Sequence, residues 1–333
     1  MQKSITVPPF AEMENHPDVK TRRLSRDRIR KFFMGSREKN GLIKLVMIYG
    51  LLICIGFIYL YPILYMISAS FMTLDDLLDS SIQWIPSSLN FANYRQAGLS
   101  MDYWNSLLQS LMIAGLPTLC NLVSCALTGY GLARYKFRGR GVVIGLIILT
   151  FVLPSQITMI PTYSMYARLK ILNKVWAFII PALVAQGLNA PIFIMIFWQF
   201  FRTVPQALVE ASKIDGAGHL KSFFSIALPS AAPAFITVAL FSFVWYWNEF
   251  YLTQLFVHGV LVESNLTTLI IQVQKFGTNY SAYAQTAKSG ATNLNESIRM
   301  AGTLIAVLPL LILYFVLQRH FVESIDRTGI TGE

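Results

Sequence analysis

Residues 45–69 read LVMIYGLLICIGFIYLYPILYMISA, a run of 25 residues without one charged side chain. A helix needs about 20 apolar residues to cross the hydrocarbon core of a bilayer. In lipid such a run must be helical, because only a helix satisfies its backbone polar groups within one segment. Working outward, five further runs have the same character: Leu107–Ala133, Val142–Met165, Trp176–Phe201, Ala232–Val257 and Met300–Gln318. The expected fold is therefore an all-α membrane protein with six transmembrane helices. Composition agrees. Of 333 residues, 54% are hydrophobic and 13% charged, about half the charged share of soluble domains. A soluble chain of this length would need more charge to cover its surface.

The net charge of +10 is not distributed as a nucleic-acid surface. With the N-terminus inside, 20 of the 27 Lys and Arg fall in inside segments and seven in outside ones. That bias predicts cytoplasmic N- and C-termini. The short loop with Arg168, Lys170 and Lys174 runs against the rule, but inverting it would break the alternation of the other spans. Residues 1–41 read as a basic cytoplasmic tail, with Arg22, Arg23, Arg26, Arg28, Arg30 and Lys31 close together. The run after it is too long for a signal-peptide core, so residues 42–70 are expected to remain as the first transmembrane helix. The tail's cluster fits either a solvated arm or a contact with anionic headgroups. Residues 71–104 and 258–299 form the larger external loops, residues 105–318 the main transmembrane domain, and residues 319–333 a cytoplasmic tail. Cys54, Cys120 and Cys125 lie in apolar runs, and His16, His219, His258 and His320 are scattered. Neither set has metal-site or disulfide spacing.

The loop over residues 202–230 carries the most information. Pro205 can open a helix, residues 206–215 contain good helix formers, and Gly216 supplies the backbone on which a helix stops. A second helical stretch, His219–Ala227, is expected to end at Pro229. Ala207, Ala211 and Ser212 would form a small-residue surface that another protein's backbone could approach. Glu210-Ala211-Ser212, three residues, Gly216, nine residues, Ile226, one residue, Leu228-Pro229 resembles the EAA loop of importer-type ABC permeases. The one departure is Ser212, where the family usually has Ala. The resemblance implies the type I ABC importer permease fold, with Glu210 and Gly216 in contact with an ATPase subunit and Ala211, Ser212, Asp215 and Ala217 beside them.

Further stretches are similar to the sugar-importing branch of that family. They include residues 105–107, 130–140, Pro154-Ser155-Gln156, Ile160-Pro161, Trp247-Asn248-Glu249-Phe250 and 318–323. The likeness is greatest to the second permease subunit of maltose-type importers. It implies carbohydrate import across a bacterial-type cell membrane, with a second permease subunit, an ATPase dimer and an extracytoplasmic sugar-binding protein as partners. By the same resemblance this chain is not an enzyme and binds no cofactor, and the partner ATPase uses ATP and Mg. The chain itself has no Gly-x-x-x-x-Gly-Lys-[Ser/Thr] phosphate loop. A permease for a non-sugar solute is the nearest alternative. A secondary transporter would be expected to show repeated halves with matched broken helices.

Polar groups within the spans complete the inventory. Ser242, Trp245 and Glu249 have one-face helical spacing, with Asn248 adjacent. They fit either a sugar path or gate, or hydrogen bonds bracing the bundle. Thr118, Asn121, Cys125 and Thr128 form a second stripe, again path lining or close packing. Pro154, Pro161, Pro181, Gly187 and Pro191 read as hinges or fixed kinks. No catalytic or metal-binding residue is expected.

Overall fold

A computed structural model of the chain describes residues 35–36, 39–82, 84–205, 207, 210, 214, 216, 218–257, 266–287 and 293–330. Its regular structure is helical apart from one antiparallel pairing of two residues each, β1 (Gly35–Ser36) with β2 (Lys39–Asn40). The helices are α1 (Leu42–Ser70), α2 (Leu74–Leu78), α3 (Ala92–Ser100), α4 (Tyr103–Arg134), α5 (Arg140–Val152), α6 (Ser155–Arg168), α7 (Trp176–Leu183) and α8 (Ala190–Thr203). They continue with α9 (His219–Ser222), a π-helical turn (Phe223–Ala227), α10 (Leu228–Ser230), α11 (Ala232–Asn248), α12 (Tyr251–Val257), α13 (Leu269–Gln274), α14 (Phe276–Thr286) and α15 (Glu296–Ile330).

The chain divides into two compact units, Met1–Tyr65 and Met66–Glu333. In the first, the helix over residues 42–65 exposes large apolar side chains such as Ile53 and Tyr59. The whole of α1 has 29 residues, about 44 Å at the helical rise, more than enough to cross a hydrocarbon core.

In the second unit α4 is the central strut, packed on α3, α7, α8, α11 and α13. Its amphipathicity is inverted relative to a soluble helix. Ser106, Ser110, Ala114, Thr118, Asn121, Ser124 and Cys125 are buried, while Leu108, Leu111, Leu119 and Val123 are exposed. Lipid tails are as apolar as leucine, so small and polar side chains gain more by turning inward than leucines do. The absence of a side chain at Gly129 brings α4 against α8, where a Cβ would lie 2.9 Å from the Trp198 nitrogen. Two apolar clusters fill the bundle. One gathers Phe178, Tyr246, Trp247, Phe256, Leu269 and Phe276; the other gathers Tyr130, Phe193, Phe197, Phe201 and Phe223.

Three of the six expected spans are interrupted. The run Val142–Met165 is α5 and α6, turned by 100° at Leu153 and Pro154. The run Trp176–Phe201 is α7 and α8, parted by residues 184–189, where Ala185 and Asn189 take left-handed backbone angles. The run Ala232–Val257 is α11 and α12, parted at Glu249 and Phe250. Among the described residues, three helices are long and apolar enough to cross a membrane, or up to five if two bent pairs, α5 with α6 and residues 223–230 with α11, each count as one span. Pro229 also differs from expectation, since it lies within α10 instead of ending a helix. A π-helical turn precedes it, in which the Leu228 N–H donates to the Phe223 carbonyl. This wider turn makes room for a proline ring that would clash with an ordinary α-helical carbonyl.

Within the second unit the stretch after α1 packs against α14. Thr73 and Asp76 form a reciprocal cap on α2, and the Asn93 amide donates to the Ser70 and Met72 carbonyls at 2.9 Å. The Ser87 hydroxyl donates to Asp76 at 2.5 Å. That bond, with the Thr73 N–H, holds the Asp76 carboxyl below the usual carboxylate range, so the cap persists into mildly acidic solution. The Tyr280 hydroxyl donates to Gln96 at 2.5 Å, and the Leu269 N–H donates to Ser110 of α4 at 2.8 Å.

Candidate functional site

Two sites emerge, one between α8 and α9 and one inside the bundle. At the first, Ala207, Glu210 and Ile214 are helical and exposed, at spacings of three and four that place them on one face. Ile214 is 87% exposed, a large apolar side chain beside a carboxylate. Gly216 follows in a turn with φ +76°, the left-handed region in which glycine ends helices. Ala211, Ser212, Asp215 and Ala217 lie outside the described residues.

The flanks of this segment are anchored in the bundle. The Arg134 guanidinium at the end of α4 donates to the Val204 carbonyl at 2.7 Å. Phe201 before the segment and Phe223 after it both pack on Tyr130 of α4, with ring centroids 5.3 and 5.0 Å away. Both flanks of the segment are thus joined to the end of α4. Close-packed rings of this kind transmit displacement instead of absorbing it.

The second site lies at the break between α7 and α8. The Leu188 N–H donates to the Tyr246 hydroxyl at 2.9 Å, and the Asn121 amide donates to the Leu188 carbonyl at 3.5 Å. Asn121 also donates to Ser242 at 3.4 Å. Ser124 donates to the Ala182 carbonyl at 2.5 Å. Side chains of α4 and α11 thus satisfy backbone groups released where the helix breaks, which makes such a break tolerable at membrane depth. Gly187 sits inside this knot with no room for a side chain, since a Cβ would meet Asn121 Oδ1 and lie 2.6 Å from the Tyr246 hydroxyl.

The expected path residues divide around this knot. Asn121 and Ser242 are joined directly and are fully buried. Thr118 is buried one turn away on α4, its hydroxyl without a partner among the described residues. Trp245 lies between Phe193 and Phe241 at centroid distances of 5.3 and 5.9 Å. Asn248 is exposed and donates to the Val244 carbonyl at 3.0 Å. Glu249 does not continue the helical face of Ser242 and Trp245, because α11 ends at Asn248. Its carboxylate accepts from the Leu252 N–H at 2.9 Å, at the start of α12, and its carbonyl accepts from Thr253 at 2.6 Å. A carboxylate at a helix N-terminus satisfies an orphan amide and complements the helix dipole. Glu249→Gln keeps an acceptor at that place and should leave transport within about twofold. Glu249→Leu removes the cap, worth about 1 kcal/mol, and should lower thermal stability in a melting assay.

Sequence reasoning missed Tyr246, Leu188 and Ser124 as parts of one knot. The available signal was the polar and glycine-containing stretch Gln186–Asn189 in the middle of an apolar run, which a membrane helix can hold only with outside partners.

Comparison with known proteins follows the same lines. The model of the family described as "Binding-protein-dependent transport system inner membrane component" matches residues 126–327. The chain is 30% identical over 287 residues to the polygalacturonan/rhamnogalacturonan transport system permease protein YtcP of Bacillus subtilis (strain 168), covering 86% of this chain and 98% of that one. It is 30% identical over 284 residues to the arabinooligosaccharides transport system permease protein AraQ of Halalkalibacterium halodurans, covering 84% and 93%. The fold is similar to a chain in the crystal structure of a bacterial ABC transporter involved in the import of the acidic polysaccharide alginate. The TM-score is 0.72 at 21% identity, over 86% of this chain and 98% of that one.

Proposed function

The chain belongs to the family of binding-protein-dependent transport system inner membrane components, and from that membership we propose that it is a carbohydrate-translocating permease subunit of an ABC importer. The observation that carries this reading is the family match over residues 126–327, which contains the whole segment from Glu210 to Pro229. Relatives named for polygalacturonan, arabinooligosaccharide and melibiose transport support an oligosaccharide or sugar derivative as the solute.

In this reading residues 105–318 form the transmembrane domain, with a coupling loop at 202–230 and the first span at 42–70. The distribution of Lys and Arg supports six spans with both termini in the cytoplasm of a bacterial-type cell. Glu210 and Gly216, with Ala211, Ser212, Asp215 and Ala217, dock into an ATPase dimer that uses ATP and Mg. A second permease subunit completes the pore. An extracytoplasmic binding protein delivers sugar to the surface built from the 71–104 and 258–299 loops. When the ATPase pair closes, the docked segment moves with the ends of α4 and α8, and the bundle turns from inward-open to outward-open. Thr118, Asn121, Ser242, Trp245, Asn248 and Glu249 lie along the path or its gate, and the knot at Leu188 is a pivot within it.

The test is uptake of labelled oligosaccharide into proteoliposomes holding the complete importer. Uptake should require the binding protein and enclosed ATP together. Uptake driven by an ion gradient without the ATPase would overturn the proposal.

A further inference from the structure

We propose that a cavity beside the coupling segment is a binding site for a phosphate-bearing anion, either an anionic lipid headgroup or a free phosphate. The cavity has a volume of about 560 Å³ and is lined by Arg134, Arg140 and Arg202, with Gly141, Ile144 and Val204 among its walls. No acidic side chain is among the lining residues that the structure describes. Three arginines lining one space are a concentration of positive charge that an anion or water would screen. Arginine's planar fork suits phosphate oxygens in particular.

Helix electrostatics do not account for all three. Arg134 and Arg202 stand in the last turns of α4 and α8, where a cation complements the dipole. Arg140 is the first residue of α5, the positive end of a helix, where a cation is unfavourable. Gly139 gives that first turn no side-chain cap. A helix start with a cation on it, in a cavity lined by two more arginines, is a favourable place for an anion.

Two of the arginines are also held in place. Arg134 is fixed by its bond to Val204, and its Nε is buried with no hydrogen-bond partner among the described residues. The Arg202 guanidinium lies 5.0 Å from the centroid of the Trp198 ring. The lipid source has a further argument. All three arginines stand at the ends of apolar helices, and α5 leads away from the cavity with Val142, Leu146 and Leu149 exposed, a surface on which an acyl chain can lie. Basic pockets between membrane helices bind headgroups in this manner. Because Val204 and Pro205 line the same cavity, an occupant would hold the start of the coupling segment against the bundle.

The experiment measures thermal unfolding of the purified full-length chain in neutral detergent, with added phosphatidylglycerol, phosphatidylcholine or inorganic phosphate. A specific anion at a hundred times its dissociation constant should raise the midpoint by about 5 °C. A shift with phosphatidylglycerol alone assigns the site to a lipid headgroup, and an equal shift with inorganic phosphate assigns it to a soluble anion. R140Q/R202Q should abolish the shift. Gly141→Glu provides a second variant that leaves every arginine in place. A Cβ there meets nothing within 4 Å, so a carboxylate can enter the cavity and should abolish the shift, while Gly141→Gln keeps it. An equal shift with phosphatidylcholine, or an undiminished one in Gly141→Glu, overturns the site. Neither result depends on which solute is carried, so the outcome is separate from that of the uptake assay.

Discussion

Gly216→Val reduces ATP-driven uptake by about tenfold or more, while Gly216→Asn retains most of it. Space is not the reason, because a Cβ at Gly216 meets nothing within 4 Å. The reason is the backbone, whose φ of +76° lies where a branched side chain is strongly disfavoured and asparagine is tolerated. A left-handed conformation costs an ordinary residue about 1–2 kcal/mol, enough to shift the turn's population by about tenfold. Membrane insertion and abundance of both variants should match the unmodified chain, since the turn is exposed. Deletion of residues 206–220 should abolish uptake altogether. Equal uptake by the valine variant would mean that the turn conformation has no part in coupling.

The second large effect is expected at Gly187. Gly187→Ala would force a methyl group against Asn121 Oδ1, the Tyr246 hydroxyl at 2.6 Å and the Ala182 Cα at 3.0 Å. None of these can retreat cheaply. Asn121 and Tyr246 are buried and hydrogen-bonded to Leu188 and Ser242, and Ala182 belongs to α7. Overpacking of a tight core costs about 1–3 kcal/mol, and losing the Leu188–Tyr246 bond adds about 1 kcal/mol or more. Thermal unfolding of the purified chain should show a midpoint lower by several degrees, with transport lost in proportion. Gly131→Ala is the control, because a Cβ there meets nothing within 4 Å. It should be neutral or slightly stabilising in the interior of α4.

These two glycines also mark how far the sequence could be read. Apolar length located the helical stretches, since lipid leaves a spanning chain little choice. It did not locate the interruptions. A run such as Trp176–Phe201 looks continuous to a hydropathy count, yet Ala185 and Asn189 take left-handed angles within it. Gly187 and the polar stretch Gln186–Asn189 could mark a kink, but the break is stabilised by Asn121 and Tyr246, which are distant in sequence, so no local pattern could name its partners. Glu249 was misplaced for a similar reason. Helical spacing put it on a face with Ser242 and Trp245, but its carboxylate satisfies the Leu252 amide and begins a new helix. The helical stretch before Gly216 was legible because its geometry is local. A helix closed by glycine in a left-handed turn needs only neighbouring residues to specify it. Arg134, Arg140 and Arg202 were legible only as topology charges, because the cavity joining them is made by the ends of three helices.

The most direct test of the coupling account is a cross-link from the exposed face of the segment. Ala207→Cys, in a chain with Cys54, Cys120 and Cys125 replaced by alanine, would be assembled into the complete importer and treated with a short bifunctional thiol reagent. The account predicts an adduct with the ATPase subunit, at a yield that changes when ATP is added, and no labelling of the introduced thiol by an impermeant reagent applied outside intact cells. Labelling from outside, or an adduct with the external binding protein in place of the ATPase, would contradict it.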